Sequence, residues 1–216
     1  MPGLVDSHTH AVHSGDRSLE LAAKLSGESY ASITKRGGGI HFSVGETRKA
    51  SLPELERALR ARLRAMIMEG TTTVEIKSGY GLDTETEIKM LRAIHNVSRD
   101  MPIKIVSTFL GAHAVPRDLD PDKACDLVCY EMLPRLEETQ RNGVTSVSLI
   151  DAFCEDGFFT PAHTQKIAEE GYRRLGLLAN FHGDELTDQN SGTFQNLGFT
   201  PPLTISNLLT HYTQVH

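Results

Sequence analysis

The apolar positions along the chain follow two rhythms, short aliphatic or β-branched runs and longer stretches in which leucine, isoleucine or methionine returns every three or four residues. The short runs predict strands at Leu4-Val5-Asp6, Thr71–Lys77, Ile103–Phe109, Val144–Phe153 and Leu177–Phe181. The longer rhythm is clearest in Leu52, Leu55, Leu59, Leu63 and Met66, a helix opened by a Ser51/Glu54 capping box and closed at Gly70. Asp83 is placed to cap a second helix with Ile88, Leu91 and Ile94 on one face. Pro121 opens another, in which Pro134 forces a kink or a restart because it lacks an N–H and clashes with the preceding turn. Thr160-Pro161 has the cap-then-proline signature of a further helix start. Arg17 to Lys35 reads as short helical pieces ending in a Gly37-Gly38-Gly39-Ile40 loop. No strand precedes those glycines and no Lys-Ser or Lys-Thr follows, so a phosphate-binding loop is disfavoured.

Strands that alternate with helices imply βαβ units and a parallel sheet. His8, His10, Tyr80, His113, His182 and Glu185 all fall at or just after the C-terminal ends of the expected strands. Active sites occupy that position in a (β/α)8 barrel, and ligands occupy it in a doubly wound sheet too, so placement alone does not separate the two folds.

Composition narrows the class. The chain has 216 residues, enough for one large domain with a sizeable core, and 39% apolar and 6% aromatic residues without tryptophan describe an ordinary globular protein. The net charge of −6 is spread over interleaved acids and bases, which argues against a nucleic-acid partner. No run approaches the ~20 apolar residues of a bilayer span, and Met1-Pro2-Gly3 does not resemble a signal peptide, so the expectation is a cytoplasmic protein with no membrane partner. Three cysteines, Cys125, Cys129 and Cys154, are too few and too odd for a disulfide framework.

The chemistry starts with His8 and His10. Alternate residues of a strand share a face with Cα atoms about 6.5 Å apart, so two imidazoles can close on one cation, with zinc, iron and nickel all suited to the donors. A surface turn carrying two histidines is the plain alternative. His182-Gly183-Asp184-Glu185 adds a third imidazole and a carboxylate able to accept a proton. A metal there can lower the pKa of water from ~15.7 to about 7. Read separately, His182 is a polar residue at a helix entry and Glu185 a helix N-terminal acid; on the same rim as His8 and His10, the metal reading gains. Arg17 offers a planar fork for a substrate carboxylate, against a solvated surface arginine. Tyr80 offers a phenol in a Gly-Tyr-Gly loop or simple packing, and His113 a pocket group or a structural histidine bonded to a loop carbonyl. Tyr30 is a weaker candidate, and His13, His41, His95 and His163 read as structural.

Asp6-Ser7-His8-Thr9-His10, Gly37-Gly38-Gly39-Ile40, Glu75-Ile76-Lys77-Ser78-Gly79-Tyr80-Gly81-Leu82, Thr108-Phe109-Leu110-Gly111-Ala112-His113-Ala114 and Phe181-His182-Gly183-Asp184-Glu185 together resemble, in order, the motifs of the imidazolonepropionase family of amidohydrolases. The resemblance runs from about Pro2 to Leu186. It implies an α/β fold, a (β/α)8 TIM-barrel-type amidohydrolase barrel present here as its first five βα units, in residues 1–186. It also implies one zinc or iron ion and a small imidazolone carboxylate substrate, 4-imidazolone-5-propanoate, opened to N-formimidoyl-L-glutamate in histidine degradation. His8, His10 and His182 match metal ligands; Arg17, Tyr30, Tyr80, His113 and Glu185 match substrate-contacting positions, with Glu185 and His113 as the catalytic candidates.

The resemblance stops at the fifth strand, and Thr187 to His216, rich in Thr, Asn, Gln and Pro, reads as a divergent, poorly ordered tail. The sequence thus looks like a truncated variant. Two readings follow, a metal-dependent cyclic-amide hydrolase and a non-catalytic form that binds ligand or associates with the intact enzyme. An unclosed barrel is expected to leave an apolar inward face, built from Val74, Ile76, Ile105, Leu149 or their neighbours, that favours homo-oligomers.

Overall fold

Helix starts lie where the capping signals place them in the computed structural model, which describes residues 2–27, 38–180, 182–183 and 185. Helix α1 spans Ser18–Leu25 and α2 Ile40–Lys49. Helix α3, Leu52–Met68, carries the expected Ser51/Glu54 capping box and buries Leu55, Leu59 and Leu63. Each of those leucines contributes about 1.5–3 kcal/mol by leaving water. In α4, Thr84–Ser98, the Asp83 carboxylate accepts the Thr86 N–H at 2.8 Å. The Pro121 helix, α5 (Pro121–Leu127), runs into a π-helical turn at Val128–Met132 and continues as α6, Leu133–Arg141. The widened turn directly before Pro134 absorbs the ring that an unbroken α-helix would reject. Helix α7, Pro161–Leu175, is capped by Thr160, whose hydroxyl accepts the His163 N–H.

Six strands form one parallel sheet: β1 Leu4–Asp6, β2 Thr71–Lys77, β3 Lys104–Ala112, β4 Leu149–Cys154, β5 Leu178–Ala179 and β6 His182–Gly183. The spatial order is β1-β2-β3-β4-β5, with β6 also paired to β4 through Phe153 and His182. Sequential order with no reversal excludes a doubly wound sheet over these strands and makes the structure an α/β partial barrel. The (β/α)8-type expectation holds in this partial form.

Four boundaries differ from the expectation, the first being β3, which runs on to Ala112 where Phe109 was the expected end. The Gly38–Gly39 region is not all loop, because Gly39, at φ 72°, caps α2, whose buried face is Ser43, Val44 and Thr47 rather than a leucine stripe. The expected strand start at Val144 is displaced to Leu149, since the N–H groups of Val144 and Thr145 turn back onto the Thr139 carbonyl. The fifth strand is two short pieces, β5 and β6.

The expected apolar inward face is corrected more sharply. Val74 and Ile76 are fully buried in the core that the helices share with Phe109, Ala112, Ile150 and Ala152. Strand alternation therefore turns their neighbours Glu75 and Lys77 to the opposite face. Ile105 packs against the same core, whereas Leu149, two residues before Asp151 on β4, does lie on the opposite face but is buried there. The face opposite the helices carries Glu75, Lys77, Thr108 and Asp151, all buried.

Candidate metal and active site

Strand β1 ends at Asp6, so His8 and His10 lie beyond it rather than within it. Their alternation survives because Thr9, between them, is tied to β2. Its N–H donates to Glu75 Oε2 (3.2 Å), its hydroxyl to the Glu75 carbonyl (2.6 Å), and its own carbonyl accepts the Lys77 N–H (2.9 Å). From the other side the Arg62 guanidinium, on α3, donates to the carbonyls of Ala11 (2.8 Å) and His13 (3.0 Å) and to His13 Nε2 (3.1 Å). His13, read from sequence as structural, is so, and its Nδ1 lies 3.0 Å from the His10 carbonyl.

With the backbone fixed on both sides, His8, His10 and His182 present one ring nitrogen each within 4.8 Å of one another. His10 Nε2 and His182 Nε2 are 3.2 Å apart. The rings of His8 and His182 meet edge-on with centroids at 4.4 Å. Burial holds the His10 imidazole well below its ordinary pKa, aided by His113, His182 and His8. His8, open to solvent on one side, is lowered too, by the protein packed around its ring and then by His182 and Lys77. Neutral imidazoles are the metal-binding form, and burial favours it at His8 and His10; three converging imidazoles suit a borderline cation such as zinc or iron, and His8, His10 and His182 could hold one.

His113 lies flat against His10, with ring centroids 4.6 Å apart and planes within 10°. Its Nδ1 donates to the Gly79 carbonyl at 2.9 Å, which makes Nε2 the nitrogen left to meet a ligand. Burial, reinforced by His182, takes its pKa down to about 4. Tyr80 closes the group, 5.2 Å from His113 and 5.7 Å from His10 between ring centroids. The loop bearing Tyr80 is shaped by Glu87, whose buried carboxylate accepts the N–H groups of Gly79 (2.9 Å), Gly81 (2.7 Å) and Leu82 (2.9 Å). Gly79 has φ +108°, and a Cβ there would lie 2.9 Å from His113 Nδ1, so this contact requires glycine.

Behind the imidazoles lies a charged cluster that the sequence reading missed. Lys77 Nζ sits 2.7 Å from Glu75 Oε1 and 2.8 Å from Asp151 Oδ2, with no solvent exposure. The Thr108 hydroxyl donates a short hydrogen bond to the same Glu75 oxygen. Asp151 Oδ2 is in turn 3.0 Å from His182 Nδ1. Its two contacts are close in distance and bent from ideal hydrogen-bond angles. Burial pushes the Asp151 pKa up, but His182 and Lys77 overcome it and hold the carboxyl well below the usual range. Lys77, penalised by burial, is held charged by Asp151 and Glu75. The available signal was the Val74-Glu75-Ile76-Lys77 alternation, which sets two charges on one strand face.

Of the residues singled out from sequence, the structure thus gathers His8, His10, His182, His113 and Tyr80. Arg17 Nε pairs with Glu20 Oε2 at 2.7 Å, and its charge reaches His13. Glu185 is exposed, and its N–H donates to Glu155 Oε1 at 2.5 Å. Tyr30 and residues 186–216 lie outside the described residues. Among the described residues no helix is long and apolar enough to cross a membrane.

No protein-family model matches the chain. Over 186 residues, 86% of its length, it is 50% identical to the Homo sapiens protein named probable imidazolonepropionase and 48% identical to the Mus musculus protein of that name. Over 193 residues, 89% of its length, it is 44% identical to the corresponding Dictyostelium discoideum protein. It spans 43% of the length of the first two and 45% of the third. The resemblance read from the motifs therefore stands, and the chain is a homologue of the probable imidazolonepropionases that covers less than half of their length.

Proposed function

We propose that this chain carries the metal-binding and part of the substrate-facing portion of an imidazolonepropionase, a hydrolase that opens 4-imidazolone-5-propanoate to N-formimidoyl-L-glutamate in histidine degradation. The observation that carries the reading is the convergence of His8, His10 and His182 within 4.8 Å in a chain 50% identical over 86% of its length to a protein of that name. A zinc or iron ion held by these three would supply Lewis acidity and make water more acidic at that point.

The protein groups have separable tasks. His113, its Nδ1–H committed to Gly79, offers Nε2 to a ring heteroatom of the substrate. The Tyr80 phenol beside it offers a second hydrogen bond. Arg17, with Nε on Glu20, keeps its terminal nitrogens for the propionate carboxylate. Tyr30 is a further substrate contact in this reading. Glu185 takes up or returns a proton, a role that commonly contributes about 10²–10⁴ in rate.

Among the described residues no carboxylate joins the three imidazoles as a further metal ligand. The 216-residue polypeptide, which spans 43% of the length of the Homo sapiens relative, is expected when assayed alone to bind metal but not to turn over substrate. The test is to add zinc or iron to the purified chain and to a His8→Ala/His10→Ala variant, and to measure metal content and ring opening. About one metal per chain that is lost in the variant supports the site; equal content in both removes it. Ordinary turnover by the isolated chain would overturn the expectation of inactivity and uphold the substrate assignment.

A further inference from the structure

The three imidazoles are held unequally. Thr9 and Arg62 clamp the backbone around His8 and His10, whereas His182 opens a strand of only two residues. Its ring is met instead by the Asp151 carboxylate, 3.0 Å from Nδ1. Asp151 projects from β4, whose Phe153 pairs with His182, so the carboxylate reaches the ring from the strand next door. We propose that Asp151, locked by Lys77, is the positioning residue that fixes the His182 ring for metal binding. The inference rests on the metal reading above.

The argument is one of atoms. A carboxylate at Nδ1 keeps the ring proton on that nitrogen and leaves the Nε2 lone pair unprotonated. Nε2 is the atom that lies 3.2 Å from His10 Nε2, at the point where the three imidazoles converge. A carboxylate behind a metal-binding histidine also strengthens the ring as a donor, and losing such a partner typically costs 10- to 100-fold in affinity. Asp151 could not do this without a counterion, since a carboxylate only 2% exposed pays a desolvation cost of several kcal/mol. Lys77 supplies the counterion, and Glu75 with Thr108 holds Lys77 in turn. Three neighbouring strands thus deliver the support for one ring.

The experiment titrates the metal-free chain with zinc against a chromophoric chelator, in parallel with Asp151→Asn, Lys77→Met and Asp151→Asn/Lys77→Met. The His182 tautomer is read by ¹⁵N NMR in the same metal-free samples, and thermal unfolding reports their folding. The expected result is binding about 10- to 100-fold weaker in Asp151→Asn, and a His182 proton that sits on Nδ1 in the unaltered chain but is shared between both nitrogens in the variant. Lys77→Met should show a smaller loss of affinity. The double variant removes both charges of the pair, so it serves if a single variant fails to fold, and it should match Asp151→Asn. Affinities within about twofold across folded variants, with His182 unchanged, would overturn the proposal, because losing an orienting partner costs far more than that. A chain that takes up no zinc would overturn the underlying metal reading, and the tautomer would then decide Asp151's hold on the ring by itself.

Discussion

The centre of the sheet and its edges divide the work. Strands β2, β3 and β4 run for seven, nine and six residues, whereas β1 has three and β5 and β6 two each. The central strands hold the buried charges Glu75, Lys77 and Asp151, in a register that sets Lys77 opposite Thr108. The edges lead into the imidazoles, His8 and His10 after β1 and His182 in β6. Charges can be buried where both neighbouring strands supply partners at fixed spacing. The clustered imidazoles instead sit where the backbone is less tightly paired.

That contrast predicts opposite responses to mutation. Lys77→Met leaves Glu75 and Asp151 without their shared cation and should destabilise the metal-free chain by about 3–5 kcal/mol, the range for breaking a buried pair from one side. His8→Ala, at the exposed rim, should change it by no more than about 0.5 kcal/mol. Urea unfolding of both variants checks this, and equal losses would erase the distinction between centre and edge.

Glu87 sharpens the comparison, because it serves the site from a helix rather than a strand. In Glu87→Gln an amide NH₂ must replace one acceptor oxygen, so at least one of the N–H groups of Gly79, Gly81 and Leu82 faces a donor. A loss of about 1–3 kcal/mol is expected. The His113 ring should shift with it, since its anchor is the Gly79 carbonyl. Unchanged stability together with an unchanged His113 NMR signal would mean that the loop holds its shape without Glu87.

Acid should act on the site through the imidazole that follows the central strand β3. His113 has a folded pKa of about 4, against about 6.5 for an ordinary histidine. The unfolded chain therefore binds the proton first, and the stability owed to the neutral ring is complete above pH 6.5 and lost as pH falls towards 4. Glu75 and Glu87, whose pKa values burial raises, pull in the opposite direction. The clean measurement is thus a difference. Between pH 7 and 4.5 the unaltered chain should lose about 2–2.5 kcal/mol more than His113→Gln in urea unfolding. Parallel pH profiles would show that His113 titrates normally.

The sequence made the centre's architecture legible and its chemistry obscure. Caps at Ser51, Asp83 and Thr160 and the leucine stripe of α3 act within a few residues, so they can be read locally. The three clustered histidines were legible as strand-end residues, although β1 stops short of His8 and His10 and a contact across the sheet, through Thr9, keeps the geometry of that pair. Asp151 was hidden because its significance depends on Lys77, on another strand, and on His182, further along the chain. Helix α2 was hidden for a different reason: its buried face of Ser43, Val44 and Thr47 carries little hydrophobic periodicity. The misplaced apolar inward face came from treating Val74 and Ile76 as free to face either way, when the helices claim them.

The smallest effect should come from the outermost strand. Leu4 and Val5 are 61% and 68% exposed, and among the described residues β1 pairs with β2 alone. An exposed apolar edge with open backbone groups is a template for another strand, and a lysine there discourages such pairing. Val5→Lys should leave stability within about 0.5 kcal/mol, because the side chain is already in water. The Leu4 N–H bond to the Gly70 carbonyl, at 3.0 Å, does not involve the altered side chain. Zinc uptake should also hold, since Thr9 rather than Val5 fixes the histidines. Self-association through this edge, if sedimentation velocity over a concentration series detects it in the unaltered chain, should fall. If association is unchanged, the contact lies elsewhere than β1; if zinc uptake falls with it, the edge and the imidazoles are coupled more tightly than the division between centre and edge allows.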